Sequence, residues 1–281
     1  MTEFASLVRG AVGLQSLASL AMYDRPSLRA ANDTLWSAIA ERLASEGMDA
    51  PRELSRDVDL YDVWRNPSLL LAQTCGYPLT TTLKDAVRIV ATPRYLAPGC
   101  AGAFHRSAIV VGGRSGVQEL EALRGARCVI NSRDSNTGMN LLRAKIAPLS
   151  REGRFFGEVQ VSGSHAASLA AVAAERADVA AIDAVTLALI ARDEPDLVSA
   201  VRIVGWTRAC PGLPLVTAAT TTAAGVLALR RALNAVAADP QLAATRSALL
   251  LDGFTVLSAA QYRQVACLER QAVERGYPEL A

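Results

Sequence analysis

Short, mostly apolar runs alternate with stretches of helical periodicity along most of the chain. Runs that are apolar at consecutive positions are typical of strands buried on both faces of a sheet. Because strands that alternate with helices pack in layers, the pattern predicts an α/β fold. The predicted strands lie at 14–22, 68–74, 86–92, 107–111, 127–131, 157–162, 178–182, 201–206 and 213–219.

Amphipathic helices are predicted between these strands and in the C-terminal third. The clearest is 27–46, where apolar residues recur at helical spacing after Pro26. Residues 222–275 are also helical by pattern, with Asp239-Pro240 as a break between two helices and Gly253 ending the second. The pattern predicts no strand in this C-terminal third.

The chain is long enough for one large domain or two medium ones, since it has 281 residues. It contains no repeats and no Ser/Gly linker, so two lobes would be joined by structured segments. The best candidates for the crossings are the strands around 104–111 and 201–206. We therefore expect one lobe from 1–106 and 205–281, and an inserted second lobe from 107–204.

Composition narrows the class of protein. Hydrophobic residues make up 51% of the chain and charged residues 20%, which is typical of a globular protein. The net charge of +2 gives no field that favours nucleic acid, and no apolar run is long enough for a membrane span. The five cysteines are scattered and predict neither a zinc site nor a disulfide framework, although Cys75 and Cys100 could form one bridge.

A polar turn follows the strand at 127–131 and leads into a helix that begins near Met139. The first backbone N–H groups of a helix lack partners and carry partial positive charge, so residues 135–138 could bind an oxyanion. The hydroxyls of Ser135 and Thr137 would add donors. The alternative is an ordinary capped helix, since Ser, Thr and Asn are favoured there in any case. The segment lacks the lysine of a nucleotide-binding loop.

A second segment combines a Gly-Ser turn, His165 at a helix entry, and Asp183 just past the next strand. Both side chains would lie at carboxyl ends of strands, the edge where ligands bind in open α/β sheets. His165 as donor and Asp183 as acceptor could then share one small anion that keeps a P–OH group. The alternatives are a surface or capping histidine and an aspartate that caps the helix at 184–192.

Catalytic patterns are missing from the sequence. No G-x-S-x-G elbow, zinc-binding histidine pair or dinucleotide loop is present, so we expect no catalytic residue, no metal and no cofactor. Tyr23 and Tyr77 each follow a predicted strand and could offer hydroxyl donors to a ligand. Packing with the hydroxyl in solvent is the more frequent role of a tyrosine in such a place.

Several segments occur in a recognisable order along nearly the whole chain: ASLAMYD (18–24), QTCGYP (73–78), FHRSAIVV (104–111) with Ser107, SNTG (135–138), SGSHAASLAAV (162–172), ADVAAID (177–183), PGLPLVT (211–217) and GYPEL (276–280). Taken in this order, they resemble the PhnD-like family of phosphate, phosphite and phosphonate binding proteins. Ala21 replaces a proline often found before M-Y-D in that family, and S-N-T-G replaces the usual S-x-S-G, with Thr137 preserving a hydroxyl.

The resemblance implies the type II periplasmic-binding-protein fold, in which two α/β lobes joined by two crossing strands trap a ligand between them. It implies a non-enzymatic, monomeric receptor for phosphonate, phosphite or phosphate that serves the permease of an ABC importer. The ligand contacts it implies are Tyr23 and Tyr77 from the first lobe, and Ser107, Ser135, Asn136, Thr137, His165 and Asp183 from the second.

The N-terminal residues and the family resemblance lead to different expectations about localisation. The family implies a periplasmic protein, whereas the first 24 residues hold a single positive charge, Arg9, and no signal-peptide pattern. We expect either a start that lies upstream or, if the start is genuine, a cytoplasmic protein. The alternative function is then a cytosolic enzyme or ligand sensor of the same fold that acts on a small anionic metabolite.

Overall fold

Residues 16–281 are described by the structure, a computed structural model. The first residues of the run at 14–22, and most of the segment considered for an export signal, lie outside this range. The strands are β1 Leu17–Ser19, β2 Leu69–Gln73, β3 Val87–Tyr95, β4 Cys100–Ala101, β5 Phe104–His105, β6 Ser107–Gly112, β7 Arg127–Ile130, β8 Glu158–Val161, β9 Val179–Asp183, β10 Val201–Trp206, β11 Cys210–Pro211, β12 Leu215–Ala218 and β13 Leu251–Thr255.

The α-helices lie between these strands and after β13. They are α1 Arg29–Ser45, α2 Leu60–Arg65, α3 Gly76–Thr80, α4 Leu141–Ile146, α5 His165–Ala173, α6 Ala184–Asp193, α7 Pro195–Ser199, α8 Ala223–Ala238, α9 Ala243–Ala248 and α10 Ala259–Glu274. Within the part of the chain that the structure describes, none of them has the length and apolar character needed to cross a membrane.

Two five-stranded sheets form the two lobes, which confirms the predicted α/β class. The sheet of the first lobe has the order β1-β2-β12-β3-β13, and that of the second lobe has the order β10-β6-β9-β7-β8. A small sheet of β11, β5 and β4 lies where the chain passes between them. The fold is the two-lobed arrangement that the resemblance implied.

The sheet of the second lobe is apolar on both faces. Ile109, Val111 and Ile130 belong to one hydrophobic cluster, whereas their neighbours Val110 and Val129 belong to the cluster on the opposite face. Successive side chains of a strand point to opposite faces, so a strand covered on both sides must be apolar at every position. Consecutive apolar runs were therefore a sound signal for these strands.

Two crossing segments run side by side between the lobes. One contains β5 and β6, and the other contains β10 and β11. Ser107 N donates to Thr207 Oγ1 at 2.8 Å, and Thr207 N donates to Ser107 O at 3.0 Å. The second crossing keeps its pairing with β6 as far as Trp206. The lobe boundaries given above stay predictions, although these strands lie where the crossings were expected.

Helix α10 and the residues after it connect the lobes a third time. The Tyr262 ring is buried in a core cluster of the first lobe, and its hydroxyl donates to Gly212 O at 2.8 Å. Ala272, Tyr277 and Leu280 instead pack in the core of the second lobe. The C-terminal segment therefore spans from one lobe to the other on the side of α3 and α4.

The prediction of a helix continuing to Gly253 was wrong. Helix α9 ends at Ala248, Leu250 adopts a positive φ of 55°, and β13 then pairs antiparallel with β3 at the edge of the first sheet. The apolar residues of this stretch fit a helix or a buried strand equally well. Pairing with the free edge of β3 favoured the strand, because this pairing gives partners to backbone N–H and C=O groups of both β3 and β13.

Candidate functional site

A cleft of about 570 Å³ lies between the lobes and is lined from both sides. The first lobe contributes residues that follow β1 and β2, together with α2. The second lobe contributes residues that follow β7, β8 and β9. The lining side chains include Met22, Tyr23, Leu60, Tyr61, Trp64 and Cys75 from the first lobe, and Asn131, Asp134, Ser135, Thr137, His165 and Asp183 from the second.

Strand pairing brings the three segments of the second lobe together. β7 runs parallel to both β8 and β9, with Ile130 opposite Val161 and Cys128 opposite Val179. Parallel neighbours end at the same edge of a sheet, which in open α/β sheets is the ligand-binding edge. The turn after β7, the loop carrying His165, and Asp183 at the end of β9 therefore meet at one place.

The helical segment after β7 begins at Asn136 and starts with a single π-helical turn before α4. Ser135 caps it, since the Oγ atom accepts from Gly138 N at 3.0 Å. Asn136 N donates to the thiol sulfur of Cys75 at 3.2 Å, which joins this helix start to the first lobe. A Cβ atom at position 138 would collide with the Asn131 side chain and lie 3.1 Å from His165 Cε1, so a larger residue there would have to displace Asn131.

His165 meets this helix start directly. Its Nε2 atom lies 2.8 Å from Thr137 Oγ1, and its Nδ1 atom is buried. Burial lowers the pKa of His165, and the opposing effect of Asp183 is smaller. The ring is therefore neutral at pH 7. A neutral imidazole carries one N–H donor and one acceptor, so its hydrogen bonding can change when an anion arrives.

Asp183 lies at the floor of the cleft and connects the lobes. Its Oδ1 atom accepts from the Tyr23 hydroxyl of the first lobe at 3.0 Å and from Thr186 N at 2.9 Å. His105, on the crossing segment, places its Nδ1 atom 3.4 Å from Asp183 Oδ2. Burial raises the pKa of Tyr23 and lowers that of His105, because both side chains are almost fully enclosed.

At the mouth of the cleft, the lobes make contacts that are partly exposed to solvent. The Tyr61 hydroxyl donates to Asp134 across the gap. Arg25 of the first lobe pairs with Asp193 at 3.4 Å and with Glu194 at 2.5 Å, both at the end of α6 in the second lobe. The lobes are therefore bridged above and below the same cavity.

The structure brings five of the eight predicted ligand contacts to the cleft: Tyr23, Ser135, Thr137, His165 and Asp183. Ser107 is buried below Thr137 and donates to its carbonyl oxygen at 2.8 Å. The Asn136 side chain accepts from Asn140 inside the protein. The Tyr77 hydroxyl donates to Glu269 on the far side of α3, with Arg143 over the ring. These last three side chains support the helix start rather than line the cavity.

Three residues at the site were not singled out from the sequence. Cys75 lies at the cleft, and burial raises the pKa of its thiol. Its position in the turn after β2 was a usable signal, since Tyr23 similarly lies in the turn after β1. His105 ends β5 on the first crossing segment, and Tyr61 lies on the short helix α2. Nothing in the local sequence marks either of them as a neighbour of the cavity.

Comparison with known proteins identifies the family of the chain. A family model described as the periplasmic substrate-binding protein of a phosphonate ABC transporter matches residues 69–262. No curated protein sequence matches the chain.

Among solved structures, PhnD1 from Prochlorococcus marinus in complex with methylphosphonate has a TM-score of 0.72 at 13% identity, covering 92% of this chain and 98% of its own. The binding component of a phosphonate ABC transporter from Pseudomonas aeruginosa has a TM-score of 0.71 at 14% identity, covering 93% and 89%. A Xanthomonas citri protein bound to ATP has a TM-score of 0.70 at 17% identity, covering 93% and 97%.

These structural similarities show the shared fold, and the family model spans more than half of the chain. The resemblance that the motifs suggested is thereby confirmed. The chain belongs to the family of periplasmic substrate-binding proteins of phosphonate ABC transporters.

Proposed function

We propose that the protein binds a small phosphorus oxyanion, a phosphonate in particular, and presents it to the permease of an ABC importer. Membership of the family implies a small ligand and a permease partner, and members of the family are receptors rather than enzymes. The observation that carries the proposal is the 2.8 Å contact of Thr137 with His165 at the interlobe cleft.

The helix start and His165 together form a site suited to an anion. The axis of the segment that begins at Asn136 directs partial positive charge towards the cleft, and Thr137 adds a hydroxyl there. His165 begins α5, so a second helix start lies beside the first. A phosphonate group placed between them would accept hydrogen bonds from both segments. PhnD1, which has the same fold, was solved with methylphosphonate.

Anion binding at this place would be coupled to a proton. Without a bound anion, His165 is expected to be neutral because burial lowers its pKa. A bound anion favours the protonated ring and raises that pKa again. The complex then holds more protons than the free protein, so affinity increases as pH falls.

Closure of the lobes would enclose the ligand. Only the two crossing segments and the C-terminal segment join the lobes covalently in the described chain, so a rotation about the crossings leaves both sheets intact. The bond from Tyr23 to Asp183 and the pairs of Arg25 form only when the lobes are near each other. A ligand that contacts both lobes would stabilise this closed arrangement.

Calorimetric titration of the protein tests the proposal. We expect methylphosphonate, phosphite and phosphate to bind. Sulfate should bind more weakly because it is fully ionised and has no hydroxyl group to donate. The radius of gyration measured by X-ray scattering should decrease when the preferred anion is added. If none of the phosphorus anions binds, the protein does not have this function; ATP, as the ligand of a structural relative, serves as the comparison.

The substitution His165→Gln tests the role assigned to the ring. Because a charge-assisted hydrogen bond contributes about 1.5–3 kcal/mol, we expect roughly tenfold weaker binding or more. The dependence of affinity on pH should also flatten relative to the native protein. The titration of the ligand itself is common to both proteins and cancels in this comparison. An equal pH dependence in the two proteins would show that His165 does not bind the proton.

A further inference from the structure

The cavity is considerably larger than an inorganic anion. A tetrahedral oxyanion of five heavy atoms occupies roughly 100 Å³, about three times the volume of a water molecule in the liquid. The cleft has a volume of about 570 Å³, which lies in the range of sites that hold organic molecules. An anion held by Thr137 and His165 would leave most of this space unfilled.

A wide separation of the lobes does not explain why the cleft is larger than an oxyanion. Tyr61 already bonds to Asp134 across the mouth, and Tyr23 bonds to Asp183 across the floor. Arg25 is paired with the end of α6 at the same time. Because the lobes are bridged at three places around the cavity, the space that remains belongs to the closed arrangement.

The wall of the first lobe is mainly apolar and partly aromatic, with Arg25 and Asp59 as its charged members. Met22, Leu60, Tyr61, Trp64, Pro78 and Leu213 all line the cavity there. Asp134, which accepts from Tyr61, directly precedes Ser135, so this wall stands beside the helix start. One hydrogen bond and one peptide unit therefore connect the Tyr61 ring to the helix start, where the anion would bind.

The Tyr61 ring is held in place by its neighbours when the lobes are closed. It stands edge-on to Trp64 with the ring centroids 5.1 Å apart, and the Arg65 guanidinium lies 5.0 Å from its centroid. Its hydroxyl is fixed by Asp134. A side chain that is already ordered loses little conformational entropy when it contacts a ligand. The wall is therefore a rigid apolar surface, which suits a flat apolar group.

We propose that the preferred ligand is an organic phosphonate whose substituent is a flat apolar group of the size of a phenyl ring. The phosphonate group binds at Thr137 and His165, and the substituent packs against the wall formed by Met22, Leu60, Tyr61 and Trp64. This assignment rests on the proposed function, and it names the class of phosphonate. Methylphosphonate, phosphite and phosphate would bind more weakly because they leave the wall uncovered.

The test is a titration series with methylphosphonate, propylphosphonate and phenylphosphonate on the native protein. We expect affinity to increase along the series, with phenylphosphonate about tenfold tighter than methylphosphonate, since aromatic contacts add to the burial of apolar area. Binding of methylphosphonate tests the proposed function by itself. Equal or weaker binding of the larger ligands, with methylphosphonate still bound, would overturn this inference and leave the proposed function standing.

A matched pair of variants tests the wall. Tyr61→Phe keeps the ring and loses the bond to Asp134, whereas Tyr61→Ala loses both. We expect the affinity ratio of phenylphosphonate to methylphosphonate to stay near ten in Tyr61→Phe and to fall to about two in Tyr61→Ala. A ratio that is unchanged in Tyr61→Ala would overturn the placement of the substituent. If no phosphonate binds to the native protein, both proposals fail.

Discussion

The floor and the mouth of the cleft join the same two lobes by contacts of opposite character. At the floor, Tyr23, Asp183 and His105 are each less than a tenth exposed. At the mouth, the side chain of Glu194, which pairs with Arg25, is 52% exposed. Polar contacts enclosed by protein are strengthened by the low dielectric, and they are costly to leave unmade. Exposed ion pairs exchange readily with water and contribute little.

This difference assigns the two regions different roles. The bond from Tyr23 to Asp183 favours one alignment of the lobes, because any other alignment leaves the buried Tyr23 hydroxyl without its acceptor. The mouth contacts can break and re-form at little cost, which suits the side through which a ligand enters. Substitutions at the two regions should therefore differ in size and in their dependence on pH and salt.

The largest effect is expected for Asp183→Ala. The substitution removes the cap of α6 and leaves the Tyr23 hydroxyl without its acceptor, so we expect a loss of about 2–4 kcal/mol in the free energy of unfolding, measured with urea. Tyr23→Phe removes the interlobe bond alone and should cost about 1.5 kcal/mol. Equal losses in the two variants would mean that the helix cap contributes nothing. An unchanged free energy of unfolding in both variants would show that the buried floor contacts contribute no more than exposed ones.

A pH dependence of intermediate size is expected from His105. Burial holds its pKa below the ordinary value of about 6.5. At pH values just below 6.5 the unfolded chain therefore binds a proton that the folded protein does not. The free energy of unfolding should be constant above this pH and decrease below it, by up to about 1.4 kcal/mol per pH unit for one histidine.

Urea denaturation between pH 7.5 and 5.0 measures this slope, in a range above the titration of ordinary carboxyl groups. His165 has a pKa lowered in the same direction, so each of the two histidines should contribute. His105→Asn should reduce the slope and leave the part from His165. A native protein that is equally stable at both ends of the range would contradict the expectation.

The smallest effect is expected at the mouth. Arg25→Ala removes two partly exposed ion pairs, and we expect a change of about 0.2–1 kcal/mol that disappears at high salt. The ligand-free protein should also show a slightly larger radius of gyration. Arg231→Ala is the matched control, because Arg231 pairs with Glu46 inside the first lobe and cannot influence the distance between the lobes. A loss for Arg25→Ala as large as that for Tyr23→Phe would contradict the comparison.

Much of the fold could be predicted because the strands are short apolar runs, and the central strands of the second lobe are enclosed on both faces. The strand expected at 201–206 is β10, and the strands expected in the second lobe agree with the structure to within a residue or two at each end. Strand β13 was missed because its apolar residues fit a helix equally well and no local signal distinguishes the two. Its assignment depended on β3, which lies more than 150 residues away along the chain.

The candidate site could be predicted in part for a similar reason. Ser135, Thr137, His165 and Asp183 follow parallel neighbouring strands, so their meeting follows from the topology. Tyr77 also follows a strand, but it lies on α3, which turns its hydroxyl towards Glu269. The direction of a side chain after a turn depends on its neighbours in space, which the local pattern does not contain.

The sequence by itself determined the α/β layering, the two-lobed family and the strand ends that carry polar residues, because these depend on periodicity and on the order of motifs. Only the tertiary structure decided that Asp183 lies in contact with both Tyr23 and His105, and that Tyr61 and Trp64 line the cleft beside the helix that begins at Asn136. Contacts between residues distant in the chain depend on how the two sheets face each other, and a local pattern does not specify that arrangement.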